Sequence, residues 1–392
     1  MQRRTAAEGK WAVTMSRRKL RVGVLFGGKS GEHEVSLVSA RSVMAAIDQD
    51  RFEVVPIGID REGRWLRSGD PMRQLTGGAY GSPLPAAPLP ADAAADRVDF
   101  AFLAGDKALQ PFNGASSPMA PQVDLIFPVL HGPMGEDGTV QGLLDLVNVP
   151  YVGCGVLASA VGMDKLMCKT VFAAHRLPQA PYVGLLRRRW ETEPEAVLAE
   201  LEAQLPYPMF VKPANLGSSV GISKVHNRGE LAAGLQEAAR HDRKLVVEQG
   251  LDAREIELSV LGNDDEVLVS VPGEVVPGNE FYDYDAKYVL DNSRLLIPAP
   301  LTPALTQEAQ SLARAAFQAV DGAGLARVDL LLERGSERLF VNEINTMPGF
   351  TSISMYPKLW EASGLVYSAL IERLIELALA RHADRQRNAT TR

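Results

Sequence analysis

The chain has 392 residues, of which 46% are hydrophobic and 23% are charged, and this length allows two or three domains with cores of their own. A formal net charge of -7 gives no sign of a nucleic-acid-binding surface. The 2 cysteines do not form a C-x-x-C pair, so a disulfide framework is not expected and a reducing compartment fits.

The amino-terminal segment, residues 1–19, is basic but has no apolar run long enough for a signal peptide. We expect a disordered lead-in, with Met15 as an alternative start. No later stretch approaches the roughly 18 apolar residues that a membrane span needs. These features predict a cytoplasmic protein without membrane or nucleic-acid partners.

A strand, two glycines and a helix follow in RVGVLFGG and KSGEHEVSLVSARSVMAAI. This order presents backbone amides to a polar or anionic ligand at the helix start. The full G-x-G-x-x-G spacing is absent, which argues against a nicotinamide-dependent dehydrogenase. Glu34, at the beginning of the helix, is a candidate partner for a substrate ammonium. The alternative is a surface glutamate favoured by the helix dipole.

Residues 71–121 are rich in Gly, Ala and Pro and predict a loop insertion or hairpin, with one strand at VDFAFL. The segment VDLIFPVLHGPMGEDGTVQGLLDLV then predicts a buried strand, a glycine-containing loop and a helix. His131, Glu136 and Asp137 fall on that loop, at the end of a strand where open α/β sheets bind ligands. His131 could equally be a structural histidine that holds neighbouring backbone.

The middle of the chain carries two lysines of interest. Lys165 lies early in an amphipathic helix, and Lys212 ends a strand before the small-residue loop NLGSSVG. Glycine and serine let backbone amides approach a phosphate, and a lysine supplies charge beside it. The Walker order is absent, and a plain β-turn is the alternative. Glu248 and Glu255 flank a short polar break, and the sequence alone predicts that both are exposed.

Near the carboxyl terminus, ARVDLLLERGSERLFVNEIN predicts two strands joined by a turn at residues 334–337. A hairpin centred near Ser336 sets Asp329 opposite Glu343 and Arg327 opposite Asn345 on one face. The other face is predicted to hold Val328, Leu330, Leu332, Phe340 and Ile344.

Facing carboxylates repel each other unless a positive charge lies between them. Carboxylate and amide oxygens are the ligands that Mg²⁺ prefers, so this face predicts a divalent cation site. An ordinary polar hairpin face is the alternative. The preceding irregular stretch, EFYDYDAKYVLDNSRLLIPAPL, is a plausible lid-like loop.

These segments together resemble the ATP-grasp superfamily, and within it the D-alanine-D-alanine ligase family. The resemblance lies in LFGGKSGEHEVS, HGPMGEDGTVQG, MDKLMCK, VKPANLGSSVGISKV, FYDYDAKY, and ARVDL with NEINTMPGFTSIS. It implies an α/β (α+β) enzyme of three domains. Residues 20–153 would form a Rossmann-like parallel-sheet domain, and residues 154–249 and 250–385 would hold ATP between two antiparallel sheets.

The resemblance also implies roles for single residues. The phosphate contacts would be Lys165, Lys212, Ser218 and Ser219, and the adenine and ribose contacts Glu248 and Glu255. The ligands of two Mg²⁺ ions, for which Mn²⁺ can substitute, would be Asp329, Glu343 and Asn345. Arg327 and the Gly349 backbone would steady an oxyanion. Glu34 would pair with the ammonium of the first D-alanine, and Ser218 and Tyr288 would form with it a hydrogen-bonded triad that supports the lid. His131 would line the same pocket, Lys287 would bind substrate, and Ser354 and Met355 would receive the carboxylate of the second D-alanine.

The implied activity is ATP-dependent ligation of two D-alanine molecules through an acyl phosphate, for peptidoglycan precursor synthesis, by an expected homodimer. Tyr288 favours the dipeptide over a D-lactate product, since lactate-using members often carry phenylalanine there. A non-catalytic ATP-binding module would not require Arg327 or Glu34. Gln249 replaces a lysine found in some members, which puts one adenine contact in doubt.

Overall fold

The computed structural model describes residues 18–66, 69–78, 100–102, 109–111, 123–217, 220–276 and 294–389. Nearly all of the predicted lead-in and most of the predicted insertion lie outside these ranges. Four candidate site residues also lie outside them: Ser218, Ser219, Lys287 and Tyr288.

The amino-terminal part of the chain forms a mostly parallel sheet with the strand order β3-β2-β1-β6. Its elements are β1 (Leu20–Gly27), α1 (His33–Ala46), β2 (Phe52–Ile59), β3 (Trp65–Leu66), α2 (Pro71–Thr76), β4 (Phe100–Phe102), β5 (Leu109–Pro111), β6 (Leu125–Val129) and α3 (Thr139–Leu146). The apolar strand β1 is buried along most of its length and pairs in parallel with β2 and β6, as the Rossmann-like prediction requires. The strand predicted in the insertion is β4, which pairs with β5.

The middle of the chain forms an antiparallel sheet with the order β7-β10-β8-β9. Its elements are α4 (Val156–Met163), α5 (Lys165–Ala174), β7 (Tyr182–Leu186), α6 (Arg187–Thr192), α7 (Pro194–Gln204), β8 (Met209–Pro213), β9 (Ser223–Val225), α8 (Arg228–His241) and β10 (Lys244–Gln249). Helix α5 begins at Lys165 because Asp164 caps it, accepting hydrogen bonds from the backbone amides of Leu166 and Met167.

The third sheet has six strands and is antiparallel. Its region contains β11 (Ala253–Asn263), β12 (Glu266–Val269), β13 (Gly273–Val276), β14 (Arg294–Leu296), α9 (Pro303–Ala319), β15 (Gly324–Glu333), β16 (Leu339–Asn345), α10 (Met355–Ala362) and α11 (Tyr367–Arg385). The three sheets confirm the predicted α/β (α+β) fold class. The residue limits of the three domains stay predictions.

The β15–β16 hairpin has the predicted register at its functional end, with Asp329 opposite Glu343 and Arg327 opposite Asn345. The pairing shifts by one residue between Asp329 and Leu330. Beyond this β-bulge Leu330 faces Val341, so Val341 joins the apolar cluster beneath the sheet. The prediction for Phe340 was therefore wrong, because the extra residue of a bulge reverses which side chains share a face.

One apolar cluster joins the first sheet to the end of the chain. Leu370 and Leu374 of α11 belong to the same buried cluster as Val24 of β1 and Val43 of α1. Phe350, in the loop after β16, lies in this cluster and packs against the rings of Phe127, Tyr356 and Tyr367, with ring centres 5.6 to 5.8 Å away. The aromatic contacts hold the loop after β16 against the first sheet.

Among the helices of the described residues, none has both the length and the apolar character that crossing a bilayer demands.

We predict that Phe350→Ala lowers the free energy of unfolding by about 3–5 kcal/mol, because it removes a buried aromatic ring from a closed cluster. Urea unfolding monitored by circular dichroism measures the change. Leu157→Ala, at a position 58% exposed, is the matched control and should change it by less than about 0.5 kcal/mol. Equal effects of the two substitutions would contradict the assigned role of Phe350.

Candidate active site

A row of acidic side chains crosses the third sheet. Asp329 on β15 lies opposite Glu343 on β16 and opposite Glu257 on β11. Facing residues of antiparallel strands share one face of the sheet, so the three carboxyl groups stand side by side across neighbouring strands. The Asp329–Glu343 pair was predicted, and Glu257 is an addition from the structure.

Arg327 lies on the same face and balances part of this charge. Its Nε donates to Oδ1 of Asp329 at 2.7 Å and its Nη2 donates to Oδ2 at 2.6 Å, which forms a bidentate pair. The same Nε lies 3.1 Å from Oε2 of Glu257. Burial alone would lower the pKa of Arg327, but Asp329 and Glu257 raise it well above its ordinary value. The site thus contains a fixed, permanently charged guanidinium.

A second ionic cluster lies on the central sheet. Glu248 on β10 accepts a hydrogen bond from Nζ of Lys212 at 2.8 Å and forms a salt bridge with Nζ of Lys169 at 3.2 Å. Burial alone would raise the pKa of Glu248, but the two lysines lower it to about 2. Glu248 is only 4% exposed, so the expectation of exposure was wrong. Its burial is possible because two cations compensate it.

Lys165 is tied to the segment that leads into the small-residue loop. Its backbone amide donates to the carbonyl of Ala214 at 3.0 Å, and its Nζ donates to the carbonyl of Leu216 at 2.6 Å. Lys169 stands four residues later on α5, and residues at this spacing share one face of a helix. Helix α5 therefore presents both lysines towards the same region of the central sheet.

The loops that follow β1 and β6 bring two more carboxyl groups to the small-residue loop. A Cβ atom placed on Gly217 would lie 3.3 Å from Oε2 of Glu32 and 3.8 Å from Oε1 of Glu136. The two loops are joined by a 2.6 Å hydrogen bond from Oγ of Ser30 to the carbonyl of His131. Glycine at 217 is what allows this close approach.

Glu136 is buried and stays protonated more readily than an ordinary glutamate. Its Oε1 accepts a hydrogen bond from the backbone amide of Gly132 at 2.7 Å. Burial, followed by repulsion from Glu32, raises the pKa of Glu136 to about 8. A cation that binds beside Glu32 would therefore favour loss of the Glu136 proton near neutral pH.

Glu34 does not reach this region. Its side chain is 56% exposed and forms a 2.7 Å salt bridge with Arg61. His33 and Ser36 occupy the buried face at the start of α1, and this orientation turns Glu34 towards solvent. Glu32, two residues earlier, is instead the acid that lies beside Glu136 and the loop.

His131 is held by the protein at both ring nitrogens. Its Nδ1 lies 3.0 Å from the carbonyl of Met347, and its Nε2 lies 3.3 Å from Oγ of Ser39. Burial lowers its pKa, opposed by the charge of Glu32. The neutral ring then donates through Nδ1 and accepts at Nε2 from Ser39. This geometry favours the structural alternative for His131, although the ring also lines a pocket of about 340 Å³.

The loop that carries Gly349 is fixed on both sides of the glycine. The Met347 amide donates to Oδ1 of Asn345 at 3.0 Å, and the Phe350 amide donates to Oγ of Ser39 at 3.4 Å. The hydroxyl of Tyr367 donates to the Phe350 carbonyl at 2.6 Å. Because these bonds come from different parts of the chain, the Gly349 backbone has a defined position at the end of the acidic hairpin.

The remaining predicted residues lie near these elements in different settings. Ser354 precedes α10, and its Oγ accepts from the Thr351 amide at 3.1 Å. Met355 is 7% exposed and packs with Leu359. Glu255 is half-buried near the start of β11.

The charge of Glu343 raises the pKa values of groups that belong to all three sheets. After burial and Glu32, it contributes to the raised pKa of Glu136 from the first sheet's loops. Burial alone would lower the pKa of Lys212, but Glu248 raises it and Glu343 acts in the same direction. Glu343 also adds to the raised pKa of Arg327. Groups from three separate sheets thus interact electrostatically with one carboxylate.

The donor set suits a hard divalent cation, because Asp329, Glu343 and Asn345 all offer oxygen ligands. Within the described ranges no group of three acidic, histidine or cysteine side chains is arranged to hold an ion. Both carboxylate oxygens of Asp329 are engaged by Arg327 instead. Each oxygen retains a further lone pair, so the residues fit a metal provided that Asp329 can be shared with Arg327 or released by it.

Sequence reasoning missed Glu32, Lys169 and Glu257. Lys169 could have been found from its four-residue spacing to Lys165. Glu257 could have been found from its alternation with Glu255 along one strand. Glu32 had no such signal, because only the packing of α1 decides which of two neighbouring glutamates faces the loop.

Two family models match the chain: "D-ala D-ala ligase N-terminus" over residues 21–154 and "D-ala D-ala ligase C-terminus" over residues 171–376. The chain is 55% identical to a D-alanine–D-alanine ligase of Heliobacterium modesticaldum over 376 residues, which are 95% of this chain and 98% of the relative. It is 50% identical to the enzyme of that name from Natranaerobius thermophilus over 373 residues, with 95% and 98% covered.

Solved structures give the same result. The D-alanine-D-alanine ligase from Coxiella burnetii superposes with a TM-score of 0.78 at 35% identity, covering 94% of this chain and 96% of that one. The VanG D-Ala:D-Ser ligase from Enterococcus faecalis superposes with a TM-score of 0.79 at 34% identity, covering 92% and 100%.

We predict that Glu136→Gln becomes more stable relative to the wild type as pH rises from about 4.5 to about 8. A folded-state pKa near 8 means that the folded protein keeps a proton that the unfolded chain has lost, so the native glutamate loses stability across this window. Glutamine still accepts the Gly132 hydrogen bond. Melting temperatures measured by scanning calorimetry at several pH values test this.

Glu53→Gln removes the same charge from an exposed position on β2 and serves as the control. The difference in melting temperature between Glu53→Gln and the wild type should stay nearly constant with pH, whereas the difference for Glu136→Gln should grow. A gap between Glu136→Gln and the wild type that stays constant over the window would contradict the buried, protonated state of Glu136.

Proposed function

Because the chain belongs to the D-alanine–D-alanine ligase family, we propose that it joins two D-alanine molecules into D-alanyl-D-alanine while ATP is cleaved to ADP and phosphate. The reaction would serve peptidoglycan precursor synthesis in the cytoplasm. It forms one amide bond, and the oxygen lost from the first carboxylate leaves with the phosphate.

The observation that carries the proposal is that charged groups from all three sheets interact electrostatically with Glu343, beside the buried Arg327–Asp329 ion pair. A ligase of this kind must bring a polyphosphate, a carboxylate nucleophile and an amine together in one place. The charges suited to these partners lie on groups from all three sheets: Arg327, the lysines Lys165 and Lys212, and the loop residues Glu32 and Glu136.

In the first step, a carboxylate oxygen of the first D-alanine attacks the γ-phosphorus of ATP, and the bond to the ADP oxygen breaks. Lys165 and Lys212 offset the phosphate charge from two directions, with Ser218 and Ser219 assigned to the covering loop. Positioning and electrostatics supply most of the catalysis in phosphoryl transfer. Bound Mg²⁺, held by Asp329, Glu343 and Asn345, would supply further charge neutralisation, and Mn²⁺ would do the same.

We assign the ammonium of the first D-alanine to Glu32 in place of Glu34. Glu32 lies at the junction of the loops, and an ammonium there would relieve its repulsion with Glu136. Ser218, Tyr288 and Lys287 stay proposed members of this subsite. His131 contributes by fixing the Met347 carbonyl, and thereby the loop that carries Gly349.

In the second step, the amine of the second D-alanine attacks the acyl carbon, and the tetrahedral intermediate expels phosphate. Arg327 and the Gly349 amide would face the developing oxyanion, and removal of such a donor typically lowers the rate about 100- to 1000-fold. The start of α10, at Ser354 and Met355, would receive the second carboxylate.

Glu248 and Glu255 are the proposed adenine and ribose contacts. In the structure Glu248 engages Lys169 and Lys212, so nucleotide binding would draw Lys212 from Glu248 towards the phosphates. A depsipeptide product with D-lactate is not favoured, since the matched relatives at 47–55% identity carry the dipeptide ligase name. A homodimer remains part of the proposal.

We predict that the purified protein releases phosphate when it is given ATP, Mg²⁺ and D-alanine. L-alanine should not replace D-alanine, and D-lactate should not replace it as the second substrate. A coupled phosphate assay with chromatography of the product measures both. Asp329→Ala with Glu343→Ala is the inactive control, and absence of release by the wild type with D-alanine would contradict the proposed function.

We predict that Glu32→Gln raises KM for D-alanine by about 10- to 100-fold, the effect of losing one charge-assisted hydrogen bond to the ammonium. Glu34→Gln is the matched control and should leave KM within about twofold, because Glu34 contacts Arg61 at the surface. Steady-state kinetics at fixed ATP distinguish the two. The reverse order of effects would restore Glu34 as the substrate residue.

A further inference from the structure

Arg327 has two acidic partners that lie on different strands. Asp329 holds it by two hydrogen bonds of 2.7 and 2.6 Å, and Glu257 lies 3.1 Å from its Nε. All three side chains are at least four-fifths buried. In the strand order β11-β15-β16, Glu257 lies on one side of Asp329 and Glu343 on the other.

This arrangement creates a conflict for Asp329. The proposed function requires its carboxylate to bind Mg²⁺ together with Glu343 and Asn345, both on the β16 side. In the structure the same two oxygens accept hydrogen bonds from Arg327. A buried guanidinium that is left without any acidic partner strongly destabilises the folded protein. Metal binding at Asp329 therefore needs a second acid that can keep Arg327.

We propose that Glu257 is this acid: a positioning residue that holds Arg327 on the β11 side when Asp329 turns towards the metal on the β16 side. Glu257 is suited to the task because its carboxylate is already within ion-pair distance and belongs to a rigid central strand. This inference rests on the proposed function. It adds that Arg327 is kept in place for the oxyanion throughout the reaction by a residue that touches neither substrate nor metal.

The consequence is a coupling between Glu257 and the metal. In Glu257→Gln the side-chain shape is kept but the charge is lost, so Arg327 retains Asp329 and competes with Mg²⁺ for it. Nucleotide binding without metal does not involve this exchange and should be nearly unchanged. Only the additional affinity for the nucleotide that Mg²⁺ confers should fall in Glu257→Gln.

Isothermal titration calorimetry with the non-hydrolysable analogue AMP-PNP, with Mg²⁺ and with EDTA, tests the coupling. Mg²⁺ increases the affinity for AMP-PNP by a certain factor in the wild type. We expect this factor to be at least about fivefold smaller in Glu257→Gln, which is the lower end of typical coupling between sites. Its affinity in EDTA should stay within about twofold of the wild type. Glu257→Asp, which keeps the charge, should retain more of the metal-dependent gain than Glu257→Gln.

Glu274→Gln is the matched control. Glu274 is 7% exposed on β13 of the same sheet and forms a bidentate pair with Arg254, with contacts of 2.8 and 2.7 Å. Its substitution breaks an equivalent ion pair, so it reports the general effect on the sheet and should leave the Mg²⁺-dependent gain unchanged.

The outcomes separate the two proposals. A wild type that binds AMP-PNP no better with Mg²⁺ than with EDTA would contradict the metal site of the proposed function. If Mg²⁺ increases the affinity for AMP-PNP equally in the wild type and in Glu257→Gln, the role of Glu257 is overturned while the metal site stands. Equal losses in Glu257→Gln and Glu274→Gln would show a merely structural effect and would also overturn it.

Discussion

The ion pairs of Arg327 with Asp329 and Glu257 are the constraint on which the rest of the site depends. Buried like charges on adjacent strands are unfavourable unless a cation lies among them, and here the protein supplies its own. The apolar residues Val328 and Leu330 on the opposite face fix the register that makes this possible. A shift of one residue would turn the acids into the core, so hydrophobic packing and electrostatics select the same pairing.

The acidic hairpin lies near the other candidate site residues only because other parts of the chain are held against it. The aromatic contacts of Phe350 fix the loop after β16 to the first sheet, and His131 and Ser39 bind the backbone of that loop. Helix α5 brings Lys165 and Lys169 from the other side. The candidate site therefore combines charged groups from all three sheets.

The sequence was informative where function follows from local alternation. The facing pair of Asp329 and Glu343 follows from the strand period, and the position of Lys165 early in a helix follows from the amphipathic pattern. Phe340 was misplaced because no local signal marks a bulge. No local signal separates Glu32 from Glu34, because the packing of His33 and Ser36, a tertiary effect, decides which glutamate faces inward. The buried state of Glu248 likewise depends on a lysine from a distant helix.

We propose that these charges promote the phosphorylation of a substrate carboxylate, which activates it. Transfer of ¹⁸O tests it most directly: D-alanine with both carboxylate oxygens labelled is incubated with the protein, ATP and Mg²⁺, and the phosphate released is examined by mass spectrometry. We predict one ¹⁸O atom in each phosphate released with dipeptide. Dipeptide formation with unlabelled phosphate would contradict it.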